Sequence, residues 1–127
     1  MGKDAKPTEA ELEILQDLWE HGASTVREIN DRLNVRKEVG YTTTLKIMQI
    51  MAGKNMLTRT AKGRSHIYAP AVEKKVTQQA IITRLIDSAF SGSVKQLVLQ
   101  ALGNGKTTPE ELQEIKGLIE DIERDKS

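Results

Sequence analysis

Residues 40–70 read GYTTTLKIMQIMAGKNMLTRTAKGRSHIYAP, and the spacing of their apolar side chains changes halfway along. In the first half, apolar residues recur every three or four positions. This predicts an amphipathic helix with Thr42, Lys46 and Gln49 opposite a stripe of leucine and methionine. In the second half, two short alternating runs flank the sequence KGR at 62–64, the pattern of a β-hairpin with a basic turn. We therefore predict a polar-faced helix that leads directly into a two-stranded hairpin.

Two further helices are predicted before that segment. Thr8 and Glu11 have the spacing of a capping box, in which a hydroxyl and a carboxylate satisfy backbone N–H groups at a helix start. A second helix should begin at Thr25 or the serine before it and end near Asn34. Threonines are poor residues for a helix interior, so we expect the threonines at 42–44 to cap the third helix.

The distribution of charge favours a polyanion as the partner. The net charge is only +1, but residues 36–66 hold seven basic side chains against one acidic side chain. Acidic segments flank them, with four basic and eight acidic side chains in 1–35 and three and seven in 107–127. Such a cluster can simply decorate a solvated surface, but this one coincides with the third helix and the hairpin. Three helices followed by a basic hairpin is the order of a winged helix-turn-helix, whose third helix enters the DNA major groove.

The rest of the chain is predicted to be helical, with breaks at 91–93 and 103–105 and a second capping box at Thr108 and Glu111. Its apolar stripes need more partner surface than a tail of this size offers by itself, which predicts a dimer. The fold class is therefore mainly α with a small β-hairpin wing: a winged-helix DNA-binding domain at 1–71 and a helical dimerisation domain at 72–127. The expected dimer contacts are Ile81, Ile82, Leu85, Ile86, Phe90, Leu97, Leu112, Ile115, Leu118, Ile119 and Ile122.

Several classes of function are not supported. The chain has no cysteine, which excludes disulfides, thiolate metal sites and a cysteine nucleophile. Its two histidines, His21 and His66, fall in separate predicted elements, and no catalytic or nucleotide-binding motif occurs. We therefore expect no enzymatic activity, no cofactor and no metal. The absence of a long apolar run and of a signal-peptide core predicts a cytoplasmic protein that does not insert into a membrane.

A family resemblance runs through most of the chain, from about residue 7 onward. The order and spacing of nine short pieces resemble the penicillinase and methicillin-resistance repressors of the BlaI/MecI/CopY type. The pieces are Thr8-Glu9-Ala10-Glu11-Leu12-Glu13-Ile14, Leu18-Trp19, Thr25-Val26-Arg27-Glu28, Gly40-Tyr41-Thr42-Thr43, Leu57-Thr58-Arg59, Gly63-Arg64, Tyr68-Ala69-Pro70, Phe90-Ser91-Gly92-Ser93 and Leu97-Val98.

The resemblance implies a homodimeric transcriptional repressor that binds an inverted-repeat operator in double-stranded DNA. The N-terminal winged helix would bind the DNA, and the C-terminal helices would intertwine into the dimer. The alternative is a winged-helix module that binds another protein, because this fold also serves that purpose. Together, the pattern and the resemblance predict these DNA contacts: Arg27, Tyr41, Thr42, Thr43, Lys46, Gln49, Ile50, Lys62 and Arg64.

This sequence departs from the family's pattern at four places. Ile50 stands where a basic or polar residue is usual, Asn55 where glycine is usual, and His66 where an aromatic residue is common. Several members are released from DNA by a protease that cuts an Asn-Phe bond, and Gln100-Ala101 occupies that position here. An inducing protease is thus a candidate partner. Any cut is expected near residues 100–106, which include the loop Gly103-Asn104-Gly105-Lys106. Copper-responsive members use cysteine clusters, which this chain lacks.

Overall fold

A computed structural model describes residues 6–126 of the chain. The fold is mainly α with one two-stranded antiparallel hairpin, which confirms the predicted fold class. The first five residues, on which the signal-peptide expectation rests, lie outside the described part. In chain order the elements are α1 (Glu9–His21), α2 (Val26–Leu33), α3 (Tyr41–Gly53), β1 (Leu57–Lys62), β2 (Ser65–Pro70), α4 (Lys74–Ala89), α5 (Val94–Leu102) and α6 (Pro109–Lys126).

The helix starts are fixed by local sequence. The predicted capping box of α1 is confirmed, because the Thr8 N–H donates to Glu11 Oε1 at 3.0 Å and the Glu11 N–H donates to Thr8 Oγ1 at 3.1 Å. The same two bonds join Thr108 and Glu111 at the start of α6, also as predicted. α2 begins after Thr25, one of its two predicted starts, and it has a capping box of its own. Each box satisfies backbone N–H groups that have no partner inside the helix.

The start of α3 differs from the prediction. Threonines 42–44 do not cap this helix: the N-cap is Gly40, which makes no side-chain capping bond, and the helix already begins at Tyr41. The threonines therefore lie inside the first turn. Thr44 is only 1% exposed, and its hydroxyl accepts a hydrogen bond from the buried Asn30 amide. A tertiary contact thus takes the hydroxyl that local propensity assigned to a cap.

A compact aliphatic core joins α1, α2 and α3 to the base of the hairpin. The methionine stripe of α3 belongs to this core, as predicted, and one aromatic side chain, Tyr68, is buried with it at 1% exposure. The core contains Ile14, Leu15, Leu18, Val26, Ile29, Leu33, Met48, Met51, Met56, Leu57 and Tyr68. Each of these side chains removes apolar surface from water, and the inward face of the third helix is anchored in this core.

Two asparagines define the corner between α2 and α3. The buried Asn30 amide donates to the Val39 carbonyl at 3.1 Å and to Thr44 Oγ1 at 2.8 Å. Asn34 donates to the same carbonyl at 2.8 Å, and its own Oδ1 accepts from the Val39 N–H at 3.1 Å. The turn is therefore closed by side chains from α2, and the polar groups of the corner are satisfied.

A second polar network ties the hairpin to α1 and α2. Arg32 makes a bidentate ion pair with Asp17, with its Nη2 at 2.8 Å from Oδ1, and it also donates to Ser24 Oγ at 2.7 Å. The hydrogen bond from Arg32 to Asp17 raises the pKa of the guanidinium further, against the opposing effect of burial. Ser24 in turn exchanges both backbone hydrogen bonds with Tyr68 of β2, at 3.0 and 2.8 Å. The hairpin is therefore hydrogen-bonded to the residue before the N-cap of α2, in addition to its covalent connection to α3.

An ion pair closes the far end of α3 against α1. Lys54 Nζ, just after α3, lies 2.8 Å from Oε2 of the buried Glu11. Burial raises the pKa of the Glu11 carboxyl, but the bond and charge of Lys54 and the bonds from Thr8 outweigh it and leave the pKa below its ordinary value. Glu11 is therefore a carboxylate at neutral pH, fixed to two elements at once.

The hairpin has a regular antiparallel register. Leu57 pairs with Pro70, and the pairing continues to the two-residue turn at 63–64. Gly63 has a φ of +60°, a left-handed conformation that a residue without Cβ adopts at little cost. Asn55, between α3 and β1, has a φ of +65°, a left-handed conformation that asparagine adopts more readily than most residues after the end of a helix.

The chain divides into two compact units, and the division falls after Ile82, inside α4. The sequence placed the domain boundary after residue 71. The first unit extends beyond that point because Trp19 Nε1 donates to the Val72 carbonyl at 3.1 Å and Thr77 is buried. The roles of the two units in DNA binding and dimerisation stay predictions.

The second unit contains the end of α4, then α5 and α6. The predicted break at 91–93 is confirmed, with positive φ angles of +50° at Ser91 and +83° at Gly92. The predicted break at 103–105 is confirmed as the end of α5 and the start of a loop. Every residue of α5 and α6 is described, and none of them is buried in the single chain. Among the described residues, no helix combines the length and apolarity needed to cross a membrane.

The two hydrogen bonds that the Asn30 amide donates give a test of the fold. We expect Asn30→Ala to lower the free energy of unfolding by about 1–3 kcal/mol, because it leaves the oxygen of the buried Thr44 hydroxyl without its amide donor. Urea unfolding of the full chain measures this. Asn34→Ala is the matched control: its amide is solvent-exposed, so water can replace the lost bonds. Equal losses of unfolding free energy in the two variants would contradict the conclusion that the buried Asn30 amide holds the corner between α2 and α3.

Candidate nucleic-acid interface

The outward face of α3 is polar and continuous. Thr44, Met48 and Met51 are buried on the opposite side. Leu45, Ile47 and Ala52 are half-buried against the core, and the other positions of the helix are exposed. This arrangement follows from the helical period, which separates the two sets by about half a turn. The exposed set contains six of the nine predicted DNA contacts: Tyr41, Thr42, Thr43, Lys46, Gln49 and Ile50.

The first turns of α2 and α3 meet at a cation–π contact. The Arg27 guanidinium lies over the Tyr41 ring, 4.9 Å from its centroid. Both residues were predicted as DNA contacts, and the structure brings them together on the side of the domain where α3 begins. The ring holds the guanidinium in place by attraction to its electron-rich face, which leaves the N–H groups at the edge free to donate.

The basic end of the hairpin lies near the start of α2. The pKa of the exposed Glu28 carboxyl is lowered first by the hydrogen bond from the Thr25 N–H, and further by the positive charges of Arg32 and Lys62. Lys62, the last residue of β1, therefore acts electrostatically on the residue next to Arg27. The hairpin is also joined to the start of α2 by the two backbone hydrogen bonds between Tyr68 and Ser24, so its second strand lies beside the N-terminal end of α2.

Ion pairs divide the seven basic residues of segment 36–66 into two groups. Glu13 of α1 pairs with Arg36 Nη2 at 3.8 Å and with Lys37 Nζ at 3.3 Å, and Glu11 pairs with Lys54. The other four cations, Lys46, Arg59, Lys62 and Arg64, make no ion pair within 4 Å among the described residues. The available positive charge is therefore concentrated on α3 and the hairpin.

Sequence reasoning located the face but overestimated its charge. The count over 36–66 included Arg36, Lys37 and Lys54, whose acidic partners lie in α1 and could not be read from local spacing. The predicted DNA contacts also omitted Arg59, an exposed cation on β1, although the basic count and the family resemblance both included it.

The described residues offer little for chemistry. Between residues 6 and 126, no three histidine or acidic side chains come close enough together to hold a metal ion. His66 is exposed on the hairpin opposite Ala61, and His21 Nδ1 lies 3.0 Å from the Asp17 carbonyl at the end of α1. The three-helix core, the polar outward face of α3 and the basic hairpin instead define a winged helix-turn-helix protein.

The sequence pattern of the family described as penicillinase repressor matches residues 7–121, so the chain belongs to the penicillinase repressor family. The transcriptional regulator BlaI of Mycobacterium tuberculosis is 31% identical over 71 residues, which cover 55% of this chain and 51% of that protein. The chain thus spans about half the length of that relative. The penicillinase repressor of Bacillus licheniformis is 22% identical over 121 residues, covering 95% of this chain and 94% of that repressor.

Solved structures share the fold of more than half of this chain. The solution structure of the DNA-binding domain of the repressor BlaI has a TM-score of 0.51 and 22% identity, and the match covers 57% of this chain and 90% of that one. Monomeric Bacillus licheniformis BlaI in complex with the blaP half-operator has a TM-score of 0.50 and 21% identity, over 57% and 88% of the two chains. At these identities the likeness is one of fold.

Proposed function

We propose that this protein is a sequence-specific DNA-binding repressor that acts as a homodimer on an inverted-repeat operator. The observation that carries the proposal is the exposed face of α3, with the Arg27–Tyr41 contact at its start, followed directly by a hairpin whose cations make no ion pair among the described residues. The names of the relatives, a transcriptional regulator and a penicillinase repressor, support it. In this reading the protein is not an enzyme, and it acts in the cytoplasm, where it would meet its operator.

The proposed docking places α3 in the major groove. Thr42, Thr43 and Lys46 would contact phosphates or base edges, and the Gln49 amide has the donor and acceptor needed to pair with adenine N7 and N6. Arg27, held against Tyr41, would donate to a phosphate at the edge of the same groove.

The hairpin would add contacts beside the groove. Lys62 precedes the turn and Arg64 lies in it. Neither makes an ion pair among the described residues, so both can neutralise phosphates or reach the narrower minor groove. These contacts carry affinity more than sequence preference, because phosphates are alike in every sequence.

The alternative, a module that binds another protein, makes a different demand on the surface. A protein partner would use a larger apolar patch on the winged-helix unit, whereas the exposed side chains of α3 and the hairpin are mostly polar or basic. The dependence of binding on salt separates the two readings, because neutralised phosphates release counterions and a neutral interface does not.

We propose that the tail provides the dimer interface. None of the predicted dimer contacts is fully buried in the single chain, although all are large and apolar. On α6, Leu112, Ile115, Ile119 and Ile122 follow the three–four spacing of a helical seam that packs against a second helix. A second copy of the chain would cover these side chains, and a dimer would match the symmetry of an inverted repeat.

We propose that release from DNA, if it uses a protease, requires a cut in the loop after α5. Gln100 and Ala101, which align with the family's scissile bond, lie inside the α5 helix. A protease would have to unwind that turn before cutting there, whereas residues 103–106 are exposed and non-helical. A cut in the loop would separate the α6 seam from the rest of the chain and weaken the dimer.

The division of the basic residues into those with and those without an acidic partner gives the first test. We expect Lys62→Ala and Arg64→Ala to weaken binding to every DNA sequence and to reduce the slope of log affinity against log salt by about 0.9 for each lost phosphate contact. Fluorescence anisotropy with duplex DNA over a salt series measures the slope. Lys37→Ala is the matched control, because that cation is already paired with Glu13. A wild-type protein whose binding shows no salt slope would favour the protein-binding alternative.

The α6 seam gives the second test. We expect Ile119→Glu in the full chain to weaken the dimer by more than about a hundredfold in Kd, since pairing the seam would bury an unpaired carboxylate at a cost of about 3 kcal/mol or more. Sedimentation velocity over a concentration series measures the dissociation. Gln113→Glu adds the same charge outside the seam and should leave the dimer intact. A dimer unaffected by Ile119→Glu would place the interface elsewhere.

The loop gives the third test. Mass spectrometry of the chain recovered from induced cells should find a new C-terminus between residues 103 and 106. Replacing that loop by a helix-forming sequence should block the cut, because the extended backbone that a protease binds would be lost. Recovery of an intact chain that a small molecule has released from DNA would overturn the proposal.

A further inference from the structure

We propose that Ile50 forms an apolar subsite on α3 that binds the C5-methyl group of thymine in the major groove. The inference rests on the proposed DNA-binding function and names a base that the protein selects. It begins from an apolar side chain in an unexpected place. Ile50 is 45% exposed on the recognition helix, although large apolar side chains on the other side of that helix are buried.

The exposure of Ile50 is built into the helix. Its neighbour Met51 is fully buried and Met48 lies in the core, so the register of α3 is fixed and Ile50 cannot rotate inward. A β-branched side chain also gives an exposed helix position no advantage, since its rotamers are restricted there. Neither helix stability nor core packing therefore accounts for an isoleucine at this position.

The neighbours of Ile50 belong to the face that would read DNA. Lys46 lies one turn before it and Thr43 two turns before it, and both are exposed. Helical side chains lean toward the N-terminus of their helix, so Ile50 covers surface above Lys46 and the half-buried Ile47. This brings its apolar group toward the part of α3 that enters the groove.

The chemistry around Ile50 selects its occupant. An apolar protein surface would need a larger patch, but Lys46, Gln49 and the small Gly53 surround this single side chain on the exposed face. The cations on α3 and the hairpin instead favour a polyanion. Within the major groove, the C5-methyl of thymine is the apolar group that the base pairs present, and aliphatic side chains contact it.

Gln49 on the same face supports this choice of base. Its amide can pair with adenine N6 and N7, while Ile50 contacts the methyl group of thymine. The two adjacent residues would then favour A·T pairs in the part of the half-site that α3 covers. Burial of one methyl group from water corresponds to about a fourfold change in Kd.

Replacing thymidine by deoxyuridine in DNA tests the inference, because it removes only the methyl group. Wild-type full-length protein is first used to select binding sites from random duplex DNA. The selected duplex is then made with uridine at each thymine in turn. We expect uridine at one thymine of the half-site to raise Kd about fourfold for the wild-type chain.

Three variants assign that effect to Ile50. Ile50→Ala should bind the thymine and uridine duplexes equally, and Ile50→Val, which keeps most of the apolar surface, should retain the preference. Val35→Ala is the matched control: Val35 is 85% exposed but lies in the turn before α3, so its loss should leave the preference at about fourfold.

The outcomes separate this inference from the proposed function. Specific binding with no thymine preference at any position, or a preference that survives in Ile50→Ala, overturns the role of Ile50 and leaves the DNA-binding function standing. Failure of the wild-type protein to enrich any sequence overturns both. A preference that Ile50→Ala abolishes and Ile50→Val retains supports the subsite.

Discussion

The buried amide of Asn30 sets the angle at which α3 leaves α2, and the geometry of the exposed face depends on that angle. Its two bonds reach the turn at Val39 and the first turn of α3 at Thr44, so a shift of the helix along or around its axis breaks at least one of them. In the low dielectric of the core an unpaired amide is costly, which makes other helix orientations unfavourable. The position of Tyr41 under Arg27 follows from the same constraint.

The charges of the domain are sorted by tertiary contact. With a net charge of +1, the chain has no general attraction for polyanions. Its exposed positive charge is concentrated on α3 and the hairpin because acidic residues of α1 form ion pairs with the other cations of segment 36–66. Glu13 and Glu11 pair with Arg36, Lys37 and Lys54. The field that a ligand would meet is therefore stronger on one side of the domain than the net charge suggests.

The parts of the fold that sequence predicted are those determined within one or two helical turns. The capping boxes at Thr8 and Thr108 depend on residues three positions apart, and the burial of the α3 methionines depends on helical period alone. The hydrogen bond that the Thr44 hydroxyl accepts comes from Asn30, fourteen positions earlier. Local sequence cannot reveal that bond and predicts a helix cap instead. For the candidate site, the face was predictable, but the pairing of its neighbouring cations with α1 required the packed structure.

The lack of any buried residue in α5 and α6 of the single chain affects how such a protein would respond to its own abundance. If two chains pair through these helices, as proposed above, ordering of the tail and pairing of the chains would be one equilibrium. Well below the concentration at which chains pair, the population of paired chains rises with the square of the total. A twofold fall in total concentration would then remove about three quarters of the paired chains. Occupancy of a DNA site by the dimer would therefore fall more steeply than the concentration of the protein.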